Sequence, residues 1–205
     1  MANGSGLGGG NSSTQSAIVI QKPASKNLYY IFTAAEQVGT AGICYSIVDM
    51  NLNNKKGDVT LKNQALLYPA AEKLTSVQHS NGKDTWIIAH QWNSNAFYCY
   101  LLSSSGIGTP VINNIGMVHK DYGSGDKSEA IGYLKASPDG YKLACVIDKL
   151  NANNIEIFDF NNSSGNIGDV TSLSAKGQAY GVLFSPDNSK LYVSFEAGPS
   201  GVVQY

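Results

Sequence analysis

Five polar side chains recur at equivalent places along this chain: Gln15, Glu72, Lys73, Glu129 and Gln178. Each stands eight or nine residues before one of four turn-forming segments, at Pro23, Asn81, Pro138 and Pro186. A fold that repeats this unit about an axis brings the five to one rim, where they can hydrogen-bond a polar ligand or hold a cation between Glu72 and Glu129. Hydrated groups that satisfy one another at a channel rim would leave the same pattern.

A second candidate is the loop HKDYGSGDKSE, in which Asp121, Asp126 and Glu129 gather around two glycines and could wrap oxygen ligands around Ca²⁺. Its spacing is not that of a twelve-residue calcium loop, and Gly with Asp also makes ordinary turns. DMNLNNKKGDV and DFNNSSGNIGDV align with each other at one place in the repeat, which favours turn chemistry over metal binding. His90 falls in a column otherwise held by Phe32, Ile147 and Phe195, so a packing role is expected, and His79 flanks a turn. Trp92 and Tyr122 are expected as exposed rings for sugar stacking or as packing at a corner. Cys44, Cys99 and Cys145 are isolated in apolar or aromatic stretches and read as buried thiols. No GxSxG elbow, HExxH, Walker loop or GxGxxG after a strand is present, and no cofactor is implied.

The elements that must position these groups are strands. SAIVIQKPASKNLYYIF, LTSVQHSNGKDTWIIAH, IGYLKASPDGYKLACVI and GVLFSPDNSKLYVSF align as strand, tight turn and strand. Val19, Val77, Leu134 and Val182 form one apolar column, and Leu28, Trp86, Leu143 and Leu191 another. A third strand follows in GICYSIVDMN, AFYCYLL and NIEIFDFNN, and a polar fourth strand leads to the next unit. Turn-to-turn spacings of 58, 57 and 48 residues fit four-stranded blades of a β-propeller. The expectation is an all-β fold with about four blades and an incomplete ring, nearly without helix. A polar lead-in at 1–15 precedes one propeller domain at 16–205, with blades near 16–63, 64–115, 116–170 and 171–205.

Composition narrows the partners. All 14 basic residues are lysine and the net charge is −1, so no guanidinium fork and no basic stripe is available for nucleic acid. No apolar run approaches the roughly 18 residues of a membrane span. An unfinished ring exposes an apolar sheet face at each end, so further blades of a longer parent chain are the expected partners.

The phrases STQSAIVIQKP, LYYIFT, GICYSIVDMNLN, GDVTLKN, EKLTSVQHSNGKDTWIIAHQWNSNAFYCYLL, IGYLKASPDGYKLA, IEIFDFNNSSG and YGVLFSPDNSKLYVSFE, taken in order over residues 11–205, carry a resemblance. The chain resembles the propeller-like N-terminal region of large surface proteins of gliding and other Bacteroidota, with SPDG turns like those of WD40 and YVTN blades. The resemblance implies export by the type IX secretion system to the cell surface or medium, with the signal peptide and a C-terminal gliding-motility-associated domain outside this chain. It implies no reaction. The expected function is a non-catalytic binding or display module for a glycan, a protein or a surface polymer. The alternatives are a propeller enzyme acting on polysaccharide, with Glu72 and Glu129 as acid and base, and a rigid spacer.

Overall fold

In the computed structural model, residues 1–121, 123, 125–148, 154–175, 177–198 and 201–205 are described. Strands β1 (Ala17–Gln21), β2 (Leu28–Ala34), β3 (Ile43–Asp49) and β4 (Asp58–Leu67) form the first antiparallel sheet, in chain order. The second holds β5 (Ala70–Gln78), β6 (Thr85–Gln91) and β7 (Ser94–Ser103), with both β8 (Gly106–Ile107) and β9 (Val111–His119) pairing to β7. The third runs β10 (Leu134–Ala136), β11 (Lys142–Val146), β12 (Ile155–Asn161) and β13 (Asn166–Leu173), and the fourth β14 (Gln178–Phe184), β15 (Leu191–Ala197) and β16 (Val202–Gln204). The fold is all-β. Its described helical segments are two 3₁₀ turns, Glu36–Val38 and Ser128–Ala130, and the four-residue Leu52–Lys55.

The sheets pack face to face in sequence, because side chains alternate across each strand and both faces of an inner sheet are apolar. Ile87 and Ala89 of β6 join Phe32, Ile43 and Leu74 in a core between the first and second sheets. Their neighbours Trp86 and Ile88 point the other way and meet Leu143, Cys145 and Phe158 of the third sheet. Ala144 and Val146 of β11 then meet Ala179, Val182 and Val193 of the fourth. Cys44, Cys99 and Cys145 are buried free thiols, as their apolar contexts suggest.

Turn chemistry fixes the hairpin ends. In SPDG, the Gly140 N–H donates to the Ser137 carbonyl at 2.9 Å and the Ser137 N–H to the Lys142 carbonyl at 2.9 Å. Ser185, Asn188 and Lys190 repeat both bonds in SPDN. Gly140 (φ 74) and Asn188 (φ 60) occupy the left-handed position that this bulged turn requires. The segment with ALLYP at 65–69, where Pro69 interrupts a helical pattern, contains the end of β4 and a cis Tyr68–Pro69 peptide before β5 begins at Ala70.

Candidate functional site

The first strands of successive sheets lie beside one another, and their starting ends gather the polar groups picked out by the repeat. Gln15 is buried. Its Oε1 accepts from the Leu134 N–H at 2.7 Å and the Leu74 N–H at 3.3 Å, while Nε2 donates to the Leu134 carbonyl at 3.0 Å. One carboxamide therefore ties the segment before β1 to both β5 and β10.

Glu72 and Lys73, adjacent on β5, turn in opposite directions, as strand neighbours must. The Glu72 carboxylate accepts from the Thr14 N–H and hydroxyl, both at 2.6 Å, and from the Gln37 N–H at 2.8 Å. The Lys73 ammonium donates to the carbonyls of Ile131 at 2.7 Å, Gly132 at 3.2 Å and Ala130 at 3.5 Å. Glu72 thus grips the first sheet's lead-in, and Lys73 grips the approach to β10.

Lys73 is fully buried, and burial lowers its pKa, while the nearby Cys145, Glu72, Asp148 and Glu129 oppose that shift. Glu129, in the 3₁₀ turn before β10, accepts from the Lys120 N–H at 3.0 Å. Gln178, at the start of β14, donates a side-chain hydrogen bond to Asp148, whose carboxyl is pushed up to about 6 by burial and by the neighbouring Glu196. Glu156 on β12 is also raised by burial, although it accepts from the Met117 N–H at 3.0 Å.

Glu72 and Glu129 thus lie near Lys73, Gln178 reaches Asp148 beside it, and Gln15 binds the backbone of β5 and β10; Gln15, Glu72, Lys73 and Glu129 are buried. Such contacts fix sheet positions: Gln15, Glu72, Lys73 and Glu129 are each matched to backbone atoms of another segment.

The proposed calcium loop behaves differently. The Asp121 carboxylate accepts from the N–H groups of Gly123 at 2.8 Å and Gly125 at 3.0 Å, and Asp126 from the Ser128 N–H at 2.8 Å. Both are turn-forming contacts. Among the described residues, no three His, Cys, Asp or Glu side chains converge in a way that could hold a metal ion. Of the two aromatics weighed as exposed rings or as corner packing, Trp92 is buried against Ala71 and Ala130, which fits packing and not the exposed alternative; Tyr122 lies outside the described residues.

His90 is buried as its column suggests, and its ring stacks on that of His119 at 3.8 Å. Burial first, and then the nearby Lys73, push the His90 pKa down to about 3 against a backbone interaction with Gln91. His79 lies over Trp86 at 5.8 Å and accepts the Asn81 N–H at 3.0 Å through Nδ1.

At the opposite end of the sheets is a feature that the sequence reading missed. Two cavities, of about 670 and 380 Å³, adjoin at Ser80, Tyr141 and Asn162, between the hairpin turns of the second and third sheets. Tyr141, 59% exposed, stands directly after the left-handed Gly140. Its counterparts in the neighbouring turns are Lys83 and Ser189, so an aromatic at this one turn was the available signal.

No family profile and no curated protein matches the sequence. Solved structures are similar in fold. A candidate 6-phosphogluconolactonase from Bacteroides fragilis shares 14% identity at a TM-score of 0.57, over 91% of this chain and 50% of that one. A second, from Bacteroides uniformis, shares 13% at a TM-score of 0.53, over 92% and 51%. A protein of unknown function from Desulfotomaculum acetoxidans shares 15% at a TM-score of 0.53, over 88% and 49%. The chain spans about half the length of each of these proteins.

Proposed function

We propose that the four sheets are successive blades of a β-propeller and that the chain serves as a non-catalytic binding or display module of an exported cell-surface protein. The observation that carries the functional reading is the commitment of the axial groups. Gln15, Glu72 and Lys73 close the gaps between three sheets through backbone contacts. A substrate would have to compete with those bonds, whereas a rigid scaffold benefits from them and leaves recognition to turns and loops.

Sheets whose strands follow chain order and pack face to face support the propeller reading, as does the likeness in fold to chains about twice as long. Further blades of the parent chain would cover the two outer sheet faces. Export, by the type IX route, rests on the ordered phrases of the sequence.

The test immobilises purified envelope polysaccharides and envelope proteins, measures retention of the chain, and follows product formation by mass spectrometry. Retention without products is the expected result. Shortened saccharides would overturn it in favour of an enzyme, a reading that the raised Asp148 carboxyl beside Glu196 favours, since a carboxyl titrating at about 6 suits acid–base work near neutrality. Retention by neither class would leave a spacer.

A further inference from the structure

We propose that the groove at the turn end, between the second and third sheets, binds a neutral oligosaccharide across the ring of Tyr141; this rests on the binding-module reading above. Two features of the groove point to sugar. Tyr141 presents an exposed aromatic face, suited to the apolar face of a pyranose. Around it stand side chains that exchange hydrogen bonds with hydroxyls: Ser80, shared by both cavities, and Asn166 in the larger one.

The charge of the groove selects against an acidic ligand. Lys142 and Asp159, directly opposite on β11 and β12, form an ion pair at 2.6 Å, so the lysine already has its anion. Asp139, on the other side of Tyr141, accepts from the Ser137 hydroxyl at 2.6 Å, which with backbone N–H donors holds its carboxyl below the usual range. It stays ionised and repels an anion. A carboxylate or phosphate ligand would meet this charge and find no arginine, because the chain has only lysine as its strong base.

Geometry sets the length of the ligand. Tyr141, Ser80 and Asn162 line both cavities. Each falls within the range of roughly 300 to 1,000 Å³ typical of small-molecule sites. A ligand that fills both crosses the boundary formed by Tyr141, Ser80 and Asn162, which calls for at least two linked sugar units.

The turn fixes the backbone that carries the ring. Asp139 accepts the Tyr141 N–H at 3.1 Å, and the Phe160 N–H donates to the Tyr141 carbonyl at 2.8 Å. The backbone carrying the ring is thus bonded on both sides, which limits the entropy lost when a ligand stacks on it.

The experiment titrates the 205-residue chain with neutral hexasaccharides of glucose, mannose and xylose, the matching monosaccharides, and oligogalacturonate as the acidic probe. Tyr141→Ala, Tyr141→Trp and, as a control ring on the fourth sheet, Tyr192→Ala are run beside it, with a thermal melt of each. The expected result is that at least one neutral hexasaccharide binds at least about tenfold more tightly than its monosaccharide. Tyr141→Ala weakens it at least about tenfold with an unchanged melting midpoint, and the Trp and control variants retain binding. If Tyr141→Ala binds as tightly as the native chain, the groove is not the site while the module reading stands. If the native chain prefers oligogalacturonate, or binds envelope proteins but no saccharide, the groove is again overturned and the module reading survives. If it binds nothing of any class, both fall.

Discussion

His90 shows how one residue's chemistry depends on what surrounds it. A histidine whose folded pKa lies near 3, below the ordinary 6.5, takes up its proton more readily when unfolded. Stability that is full above about pH 6.5 therefore falls as the pH drops toward 3. At pH 4 the loss from this group is on the order of 3 kcal/mol. Asp148, raised to about 6, acts in the opposite sense, so the readout is the difference between proteins. Urea melts at pH 7 and pH 4 should show a smaller acid loss in His90→Phe than in the native chain; equal losses would contradict the assignment. Phe is the apt replacement because Phe32 and Phe195 hold the same column. Lys73→Met tests the network. It strands three buried carbonyls and removes the amine packed beside Glu72, Glu129 and Asp148, so a loss of about 3 kcal/mol is expected by denaturant titration. A loss below 1 kcal/mol would mean that Lys73 does not tie the sheets together.

At the scale of elements, the hairpins and their turns were the most legible part of the chain. Pro, Asp, Gly and Asn at the aligned turns specify a bulged connection locally, and alternation on the flanking strands specifies which residues face a core. The turn after β12 shows where legibility ends. Gly165 (φ 76) sits against Trp86, and a Cβ there would lie 2.7 Å from the indole ring, whereas one at Gly82 (φ 66) would meet nothing within 4 Å. Both positions disfavour a side chain through backbone conformation, but only Gly165 also faces a ring from another sheet. Gly82→Ala should cost about 1 kcal/mol and Gly165→Ala at least about 2 kcal/mol more, measured by thermal or chemical melts. Equal effects would show that the indole moves aside without strain. The candidate groove escaped the sequence reading for a related reason: Tyr141 looks like any turn tyrosine until Ser80 of another sheet is beside it.

For the molecule as a whole, the two outer sheets matter most. The first sheet presents Val19, 61% exposed, beside a cavity lined by Met1, Tyr29, Ile31, Val48 and Met50. The fourth presents Leu183 at 60% and Val202 at 64%. Contiguous apolar patches of this kind drive association when they are left uncovered. The chain should therefore self-associate with rising concentration in sedimentation velocity. Val19→Lys and Leu183→Lys together should reduce that association without lowering the melting midpoint, since both side chains already face solvent. Unchanged association would place the contact elsewhere.

The sequence by itself determined the all-β class, the repeat, the turn positions and the apolar columns, because each depends on neighbours within about ten residues. It also brought Gln15, Glu72, Lys73, Glu129 and Gln178 to one end, since equal spacing from equivalent turns places them at equivalent heights. Tertiary structure decided the rest. Val77, Leu134 and Val182 are buried while Val19, in the same column, is not, because burial depends on whether another sheet lies opposite. In the same way, Lys73 became a buried strut when the carbonyls of Ile131 and Gly132 were set against it, about sixty residues away in sequence. Spacing fixes where a side chain stands along a strand; what it meets there depends on contacts between sheets that no local pattern records.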